Sequence, residues 1–341
     1  MKLTKKSVLR FTAALAFCAL VSIAPSCGGD SPNSPTPDPK PTPEEPTPTP
    51  EKSDEMRIMS FNMRTITSSD EGDKSWDSRK TAIVSMIKDQ RPDIIAGQEL
   101  TIPQRTFIKD ELPNYLMIEI PGTGPNGGND VLMYLKDRFE VVTSGYFWLS
   151  DTPDTPSKSF SVGDNKYHCT VWATFKEIGS GVEFVAMGTH FPVRTNSAYD
   201  NNAYIEARLK SAELCIARMR GIAGNDKMCF LMGDMNQAWK TSKGEDNADG
   251  QRILGTIKNW MKEARTEVKD NTPVGVTSYN SYGSGAMNPN RIIDHIFYRN
   301  AEGIDFTTII KSYNNIRYIS DHYPIMLRVK LPEKELGKKY R

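Results

Sequence analysis

Between Met56 and Val329 the sequence keeps returning to one unit: a short run rich in Ile, Val, Phe and Tyr, closed by turn residues such as Gly, Pro, Asn and Asp. Runs of this length and composition read as strands. The spacing predicts strands over 57–63, 93–98, 115–120, 131–136, 169–176, 182–190, 227–232, 292–298 and 325–329. Three longer segments, 76–90, 203–220 and 250–262, carry apolar residues at three and four spacing and predict helices, with Ile83, Val84 and Ile87 the clearest set. Both kinds of element recur throughout, and no Pro-rich break follows residue 52. One domain of about 285 residues is expected. Its class is α+β, with two layers of sheet faced by helices.

The chain ahead of that domain is of another kind. Residues 1–26 begin with Lys2, Lys5, Lys6 and Arg10, continue apolar from Phe11 to Ile23, and meet Ala24 and Ser26 before Cys27. This is the pattern of an export signal, with an apolar part shorter than the ~20 residues a membrane-spanning helix needs. Cys27 stands where a bacterial lipobox places the cysteine that becomes lipidated. Residues 27–54 follow as a linker in which 9 of the chain's 22 prolines fall between Pro32 and Pro50. Such a stretch stays extended at about 3.1 Å per residue and reaches roughly 60 Å. The expectation is an exported protein, periplasmic or at the cell surface, held to a membrane through the lipid on Cys27 alone. The domain itself spans 55–332, and residues 333–341 form a charged tail.

Beyond residue 51, 38 Lys and Arg face 37 Asp and Glu. That balance argues against a basic stripe for long nucleic acid. Cys169, Cys215 and Cys229 are odd in number and imply no disulfide framework, and the helical and strand patterns around Cys215 and Cys229 make both core residues.

The polar residues at strand ends carry the chemistry. The first strand ends in Asn62, the second in Gln98 and Glu99, and another in Thr189 and His190. The run CFLMGDMNQ stops at Gly233, read as a turn residue, and presents Asp234 and Asn236. Asp294 follows Ile292 and Ile293, and Ser320, Asp321 and His322 precede the final strand. Taken singly, each is a loop residue where polar residues belong. Together they amount to four carboxylates, three amides and two histidines, with no thiol and no histidine pair at zinc spacing. Hard oxygen donors suit Mg²⁺, Mn²⁺ or Ca²⁺, and histidines beside such an ion suit a phosphate ester.

The ordered set SFNMR, GQEL, GTHFP, GDMN, IIDHIF and SDHYP resembles the endonuclease/exonuclease/phosphatase superfamily, the fold of deoxyribonuclease I. The resemblance covers about residues 57–331. It implies a four-layer α/β/β/α sandwich, two central and mostly antiparallel sheets flanked by helices, with the site where strand termini converge. It further implies that Glu99 is the principal metal ligand, supported by Asn62 and Asp321, and that Mg²⁺ is the cofactor, with Mn²⁺ or Ca²⁺ able to replace it. Asp234 would orient or deprotonate the attacking water, and Asn236 would hold a phosphoryl oxygen or that water. His322 would act as acid or stabiliser with its tautomer fixed by Asp294, and His190 would face it across the phosphate. Three places depart from the pattern. Gly128 stands where a glutamate supports the histidine of the TH pair. His168 stands where many bacterial relatives carry an arginine. The TH pair continues into Phe191, Pro192, Val193 and Arg194, which makes Arg194 a candidate substrate contact beside His168 and Thr277. His295 is read as structural or exposed.

The resulting reading is an exported, divalent-metal-dependent phosphoesterase that cleaves a P–O bond by in-line attack of water, with no protein partner implied. Nucleic acid, a phospholipid head group, or a sugar or inositol phosphate remain open as substrates. The reading from another class is a surface binding lipoprotein that keeps the fold without catalysis.

Overall fold

A computed structural model describes residues 54–120, 129–160, 162, 166–194, 200–284 and 287–332. The signal, Cys27, the linker up to residue 53, Gly128 and the charged tail lie outside the described residues. Among the described residues thirteen strands are present: β1 Glu55–Asn62, β2 Ile94–Gln98, β3 Tyr115–Glu119, β4 Val131–Leu135, β5 Phe139–Trp148, β6 Cys169–Glu177, β7 Glu183–His190, β8 Met228–Asp234, β9 Lys262–Glu263, β10 Asp270–Thr272, β11 Asp294–Arg299, β12 Glu302–Thr308 and β13 Ile325–Lys330. The helices are α1 Trp76–Gln90, α2 Ile102–Glu111, α3 Asn201–Ala223, α4 Ala248–Lys258 and α5 Ala264–Glu267.

The strands form two sheets, in the order β10-β12-β13-β1-β2-β4-β3 and β5-β6-β7-β8-β11-β9. Most pairings are antiparallel; β1 with β2, β7 with β8 and β10 with β12 are parallel. The expected α+β sandwich is what forms. Its cause is visible in the alternation along single strands. In β1, Met56 and Ile58 join the core between the sheets, while Met59 and Phe61 pack on Ala82, Ile83 and Met86 of α1. In β8, Met228, Phe230 and Met232 face the other sheet, while Cys229 and Leu231 pack on α3 and α4. A strand whose two faces are both apolar needs a layer on each side, and the period of two assigns each residue to one of them.

Six elements escaped the sequence pattern, the two-residue β9 and the four-residue α5 among them. β5 carries an exposed middle, and its Thr143, Ser144 and Gly145 imitate a turn although they pair with Thr174, Ala173 and Trp172. α2 has few apolar positions, and its start is fixed instead by Gln104, whose Oε1 accepts from Thr101 N at 3.0 Å. β10 and β12 are polar pieces at the sheet margin, held by pairing with each other and with β13. The predicted helix over 250–262 ends earlier, at Lys258, and Lys262 lies in β9.

One buried cation ties three segments together. Arg79 of α1 is 0% exposed. Its Nε donates to Lys74 O at 2.7 Å, its Nη1 to Met63 O and Ile319 O at 2.9 Å each, and its Nη2 to Arg64 O at 3.3 Å. Burial pushes its pKa down, opposed by the charges of Asp321 and Asp70. The guanidinium therefore fixes the exit of β1 against the segment leading to Asp321. Arg79→Met strands these carbonyls, and the expected outcome is a loss of about 3 kcal/mol in the urea-unfolding free energy.

Candidate active site

The alternation that builds the core also collects the polar strand ends. Residues 56, 58, 60 and 62 of β1, the even residues of β8 to Asp234, those of β7 to His190 and those of β11 from Asp294 share the face turned toward the opposite sheet. At one end, apolar residues on that face give way to Asn62, His190, Asp234 and Asp294. The register places His190 beside Asp234 across the parallel β7–β8 pair and Asp234 beside Asp294 across β8–β11.

Asn62 bridges the two sheets. Its Nδ2 donates to Glu99 Oε1 and to Asp234 Oδ2, both at 3.1 Å, while its Oδ1 accepts from Arg64 N at 3.0 Å. Glu99 leaves β2 with φ 64° and accepts from Thr65 N at 3.0 Å through Oε2. Asp234 Oδ1 accepts from Asn236 N at 2.9 Å, and Asn236, with φ 47°, donates to Phe191 O at 2.9 Å. Left-handed backbone costs roughly 1–2 kcal/mol at a non-glycine residue. At Glu99 and Asn236 it turns the side chain back into the cleft. His322 places Nδ1 2.8 Å from Asp294 Oδ2 and Nε2 3.7 Å from Asp234 Oδ2, and His190 Nε2 lies 3.5 Å from that same oxygen. Ser278 Oγ accepts from the Ile293 and Asp294 amides at 2.9 and 3.0 Å, and Ser320 Oγ donates to Asn62 O at 2.7 Å. Glu99, His190, Asp234, Asn236 and His322 open into a cleft of about 390 Å³ that Asp321 also lines.

Charge in the cleft is unevenly balanced. For Glu99, burial raises the pKa, but His190, the Thr65 amide, Asn62 and His322 outweigh it and hold the carboxyl down to about 2. Asp234 is pushed up by burial; His322 and His190 oppose the rise and the Asp294 charge adds to it. Asp321 is likewise raised by burial and by Glu99, against His322 and Arg64. His322 is raised well above the ordinary histidine value: burial disfavours its charge, and Asp294 with Asp234 more than compensates. Carboxylates that raise one another's pKa in a buried cleft are short of positive charge. The donor set Glu99, Asp321, Asn62 and Asp234 is one of hard oxygens and fits a divalent cation. Asp234, Asp294 and His322 also bring ligand atoms within 4.8 Å of one another. In that trio the His322–Asp294 contact is already a hydrogen bond, which leaves Asp234 Oδ2 and His322 Nε2 as its open edge.

The structure brings Asn62, Glu99, His190, Asp234, Asn236, Asp294, Asp321 and His322 together. The other three predicted residues differ. His168 lines the cleft, with Nδ1 3.0 Å from His190 O and its ring edge-on to His190 at 5.2 Å, and burial pushes its pKa down to about 3. Arg194 is exposed, and it is Val193 that lines the cleft. Thr277 is buried and outside the cleft lining, its hydroxyl donating to Arg291 O at 2.7 Å and Tyr279 O at 2.9 Å, which ties together the loop that carries Arg291. His295 is structural and fully inside, with Nδ1 2.8 Å from Glu263 Oε1 and Nε2 2.9 Å from Gln237 O.

Sequence reasoning missed Asp130. Its Oδ1 is 3.9 Å from His190 Nδ1, and Cys169 Sγ donates to its Oδ2 at 3.1 Å. Burial raises its pKa to about 6 against the pull of His190. Asp130 thus stands beside the histidine for which the sequence offered no support at Gly128. The available signal was the strand period, because Asp130, Leu132 and Tyr134 share one face of β4 and its extension. Arg64 was missed as well. It binds Asp70 at 2.9 and 3.1 Å and lies 3.5 Å from Asp321 Oδ2.

Two mixed sheets with helices outside, and an acid, amide and histidine cleft where their inner faces end, define a deoxyribonuclease I-like α/β sandwich. The chain belongs to the Endonuclease/Exonuclease/phosphatase family, whose model matches residues 59–322. Members of this family are hydrolases of phosphoester bonds. The chain is similar to a family protein from Bacteroides vulgatus, at 26% identity and TM-score 0.66, covering 82% of this chain and 99% of that one. It shares its fold with a mannosyl-6-phosphatase from Bacteroides thetaiotaomicron, at 24% identity and TM-score 0.68, covering 80% and 99%. An uncharacterised protein of Acanthamoeba polyphaga mimivirus is 23% identical over 271 residues, 74% of this chain and 91% of its own length.

Gly233 needs a correction. It lies within β8 and not in a turn, and a Cβ there would stand 1.9 Å from Thr189 O of β7. Glycine is required because the strand that carries Asp234 approaches the strand that carries His190. Gly188 serves the same closeness between the sheets, where a Cβ would be 3.0 Å from Ala96 Cβ. Gly233→Ala must therefore push β8 from β7, and a loss of about 3 kcal/mol is expected in chemical denaturation.

Proposed function

We propose that this chain is an exported, membrane-tethered, divalent-metal-dependent phosphoesterase that hydrolyses a phosphate ester by in-line attack of water. The observation that carries the reading is the double donation of Asn62, which holds the carboxylates of Glu99 and Asp234 from two sheets at one point between His190 and His322. Export and tethering rest on the composition of the first 54 residues. Glu99, Asp321 and Asn62 are the groups to hold the cation, Mg²⁺ first and Mn²⁺ or Ca²⁺ in its place. When bound it neutralises charge that builds on a phosphoryl oxygen.

The chain's own groups then divide the work. Asp234, fixed by Asn62 and the Asn236 amide, orients the water and receives its proton as oxygen attacks phosphorus and the ester P–O bond breaks. Asn236 and His190 face the phosphoryl oxygens. His322, kept protonated by Asp294, directs Nε2–H toward the charge that develops and can protonate the departing oxygen. Among the described residues that line the cleft there is no serine or cysteine to act as a nucleophile: the three described cysteines are buried, and Cys169 and Cys215 are engaged with Asp130 and Thr170.

Purified protein is expected to hydrolyse an activated aryl phosphate ester with Mg²⁺ or Mn²⁺ and to stop on chelation. Asp234→Ala and His322→Ala should each lower kcat/KM by about 10³-fold. Turnover indifferent to chelator, or to both substitutions, refutes the reading. The pH profile supplies a second check. Because the Asp294 charge raises the His322 pKa, activity that needs the imidazolium is present below that raised value and lost as pH climbs through it. Asp294→Asn should move the alkaline limb to lower pH, and an unmoved limb removes His322 from the titrating role.

A further inference from the structure

Three cations line the cleft, Arg64, Lys166 and Arg291, and their situations differ. The fork of Arg64 is engaged: Nε and Nη2 donate to Asp70, and Nη1 faces Asp321. Lys166 is exposed beside Tyr167 and His168. Arg291 lies over the ring of Tyr279, with Cζ 4.0 Å from its centre. No carboxylate oxygen among the described residues comes within 4.0 Å of its guanidinium. Its backbone is nevertheless pinned, since Arg291 O accepts from Thr277 Oγ1 at 2.7 Å and Arg291 N donates to Asn288 O at 3.0 Å. Tyr279 in turn meets His322 edge-on, ring centres 4.9 Å apart. A guanidinium, a phenol ring and the imidazole of the Asp294–His322 pair thus follow one another from the mouth of the cleft inward.

A guanidinium over an aromatic face gains the cation–π attraction and keeps its in-plane N–H groups for other partners. Those groups form a planar fork matched to two oxygens of a phosphate. Nothing else described in the cleft offers that fork. Arg64 has committed its own, and His168, with Nδ1 donating to the His190 carbonyl, carries no charge near neutral pH.

We propose that Arg291, held on Tyr279, is a specificity-determining residue that grips an outer oxygen of the substrate's phosphoryl group and thereby selects a phosphomonoester over a phosphodiester. A monoester offers three terminal oxygens that share two negative charges near neutral pH. A diester offers two that share one, and in the third place stands an uncharged alkoxy group. The cation, Asn236 and the histidines serve the oxygens both esters possess. Arg291, two ring contacts from His322, serves the one only the monoester presents as an anion. Thr277 acts through the Arg291 carbonyl, as a positioning residue.

The inference rests on the phosphoesterase reading, so its test separates the two. The full chain, loaded with a divalent cation, is assayed on an aryl phosphate and on the methyl diester of that phosphate, which share a leaving group. Arg291→Ala is expected to raise KM for the monoester about 30-fold with kcat within about threefold, and to change kcat/KM for the diester by no more than about threefold. Arg291→Lys should recover little, because a point charge keeps neither the fork nor the stack. Tyr279→Leu should reproduce most of the loss, and Tyr279→Phe should stand about tenfold above it because the ring is kept. Equal losses on both esters, or a loss in kcat alone, overturn the proposal and leave the phosphoesterase reading intact. Wild-type failure on both esters sinks that reading, and calorimetry with inorganic phosphate on the same metal-loaded proteins then decides Arg291 separately. Weakening of phosphate binding by about tenfold or more in Arg291→Ala supports the grip, and unchanged binding refutes it.

Discussion

The site depends on the amide of Asn62. A carboxamide has two N–H hydrogens, and here each goes to a carboxylate on a different sheet, Glu99 after β2 and Asp234 at the end of β8. The assignment of nitrogen and oxygen follows from the network, because Oδ1 must accept the Arg64 amide hydrogen. Two buried carboxylates brought together repel, and a neutral donor between them holds both without cancelling the charge a cation requires. An aspartate in its place would add a third negative charge, and an aliphatic residue would leave both oxygens unpaired. Upstream, Arg79 holds the carbonyls of Met63 and Arg64, so the turn that orients Asn62 is itself fixed.

Much of this was legible because strands alternate. Once β1, β7, β8 and β11 are recognised, parity alone sends Asn62, His190, Asp234 and Asp294 to the face shared by the two sheets. The order of the motifs then leads to the family and the sandwich. What parity cannot supply is contact across long separations. Asp130 lies just ahead of β4 and meets His190 only after the sheets stack. β5 was hidden because its centre is exposed and polar, so its identity depends on pairing with β6. α2 was hidden because a capping residue, not an apolar stripe, defines its start.

Gly233 shows how a correct residue can carry the wrong reason. Between an apolar run and Asp-Met-Asn, glycine reads as a turn, and turn chemistry accounts for each residue nearby. The strand instead runs on through Asp234, and the glycine admits the Thr189 carbonyl of the adjacent parallel strand. The local pattern is the same for a turn and for a close approach, and only the neighbouring strand separates them. Left-handed backbone does occur nearby, at Asn236, where the chain leaves the strand and the amide must return to the cleft.

Near-neutral composition argues against a surface that gathers polyanions, yet it says little about one phosphate. Within the cleft the acids outnumber the Lys and Arg side chains: Glu99, Asp130, Asp234 and Asp321 face Arg64, Lys166 and Arg291, and two of the Arg64 contacts hold it to acids. An anionic ester entering such a cleft meets repulsion unless the sign at the reacting centre is reversed. On the proposed reading a divalent ion at Glu99 does this, because two charges on a small ion dominate the nearby potential. Held by Glu99, Asp321 and Asn62, it would supply positive charge to the phosphoryl group, and the protein would add its own cation beside it. There Arg291 lies on Tyr279 with no carboxylate oxygen among the described residues within 4.0 Å, so its charge is available when substrate arrives. Selectivity between esters then depends less on the acids that gather the ion than on whether an anionic oxygen lies opposite that one fork.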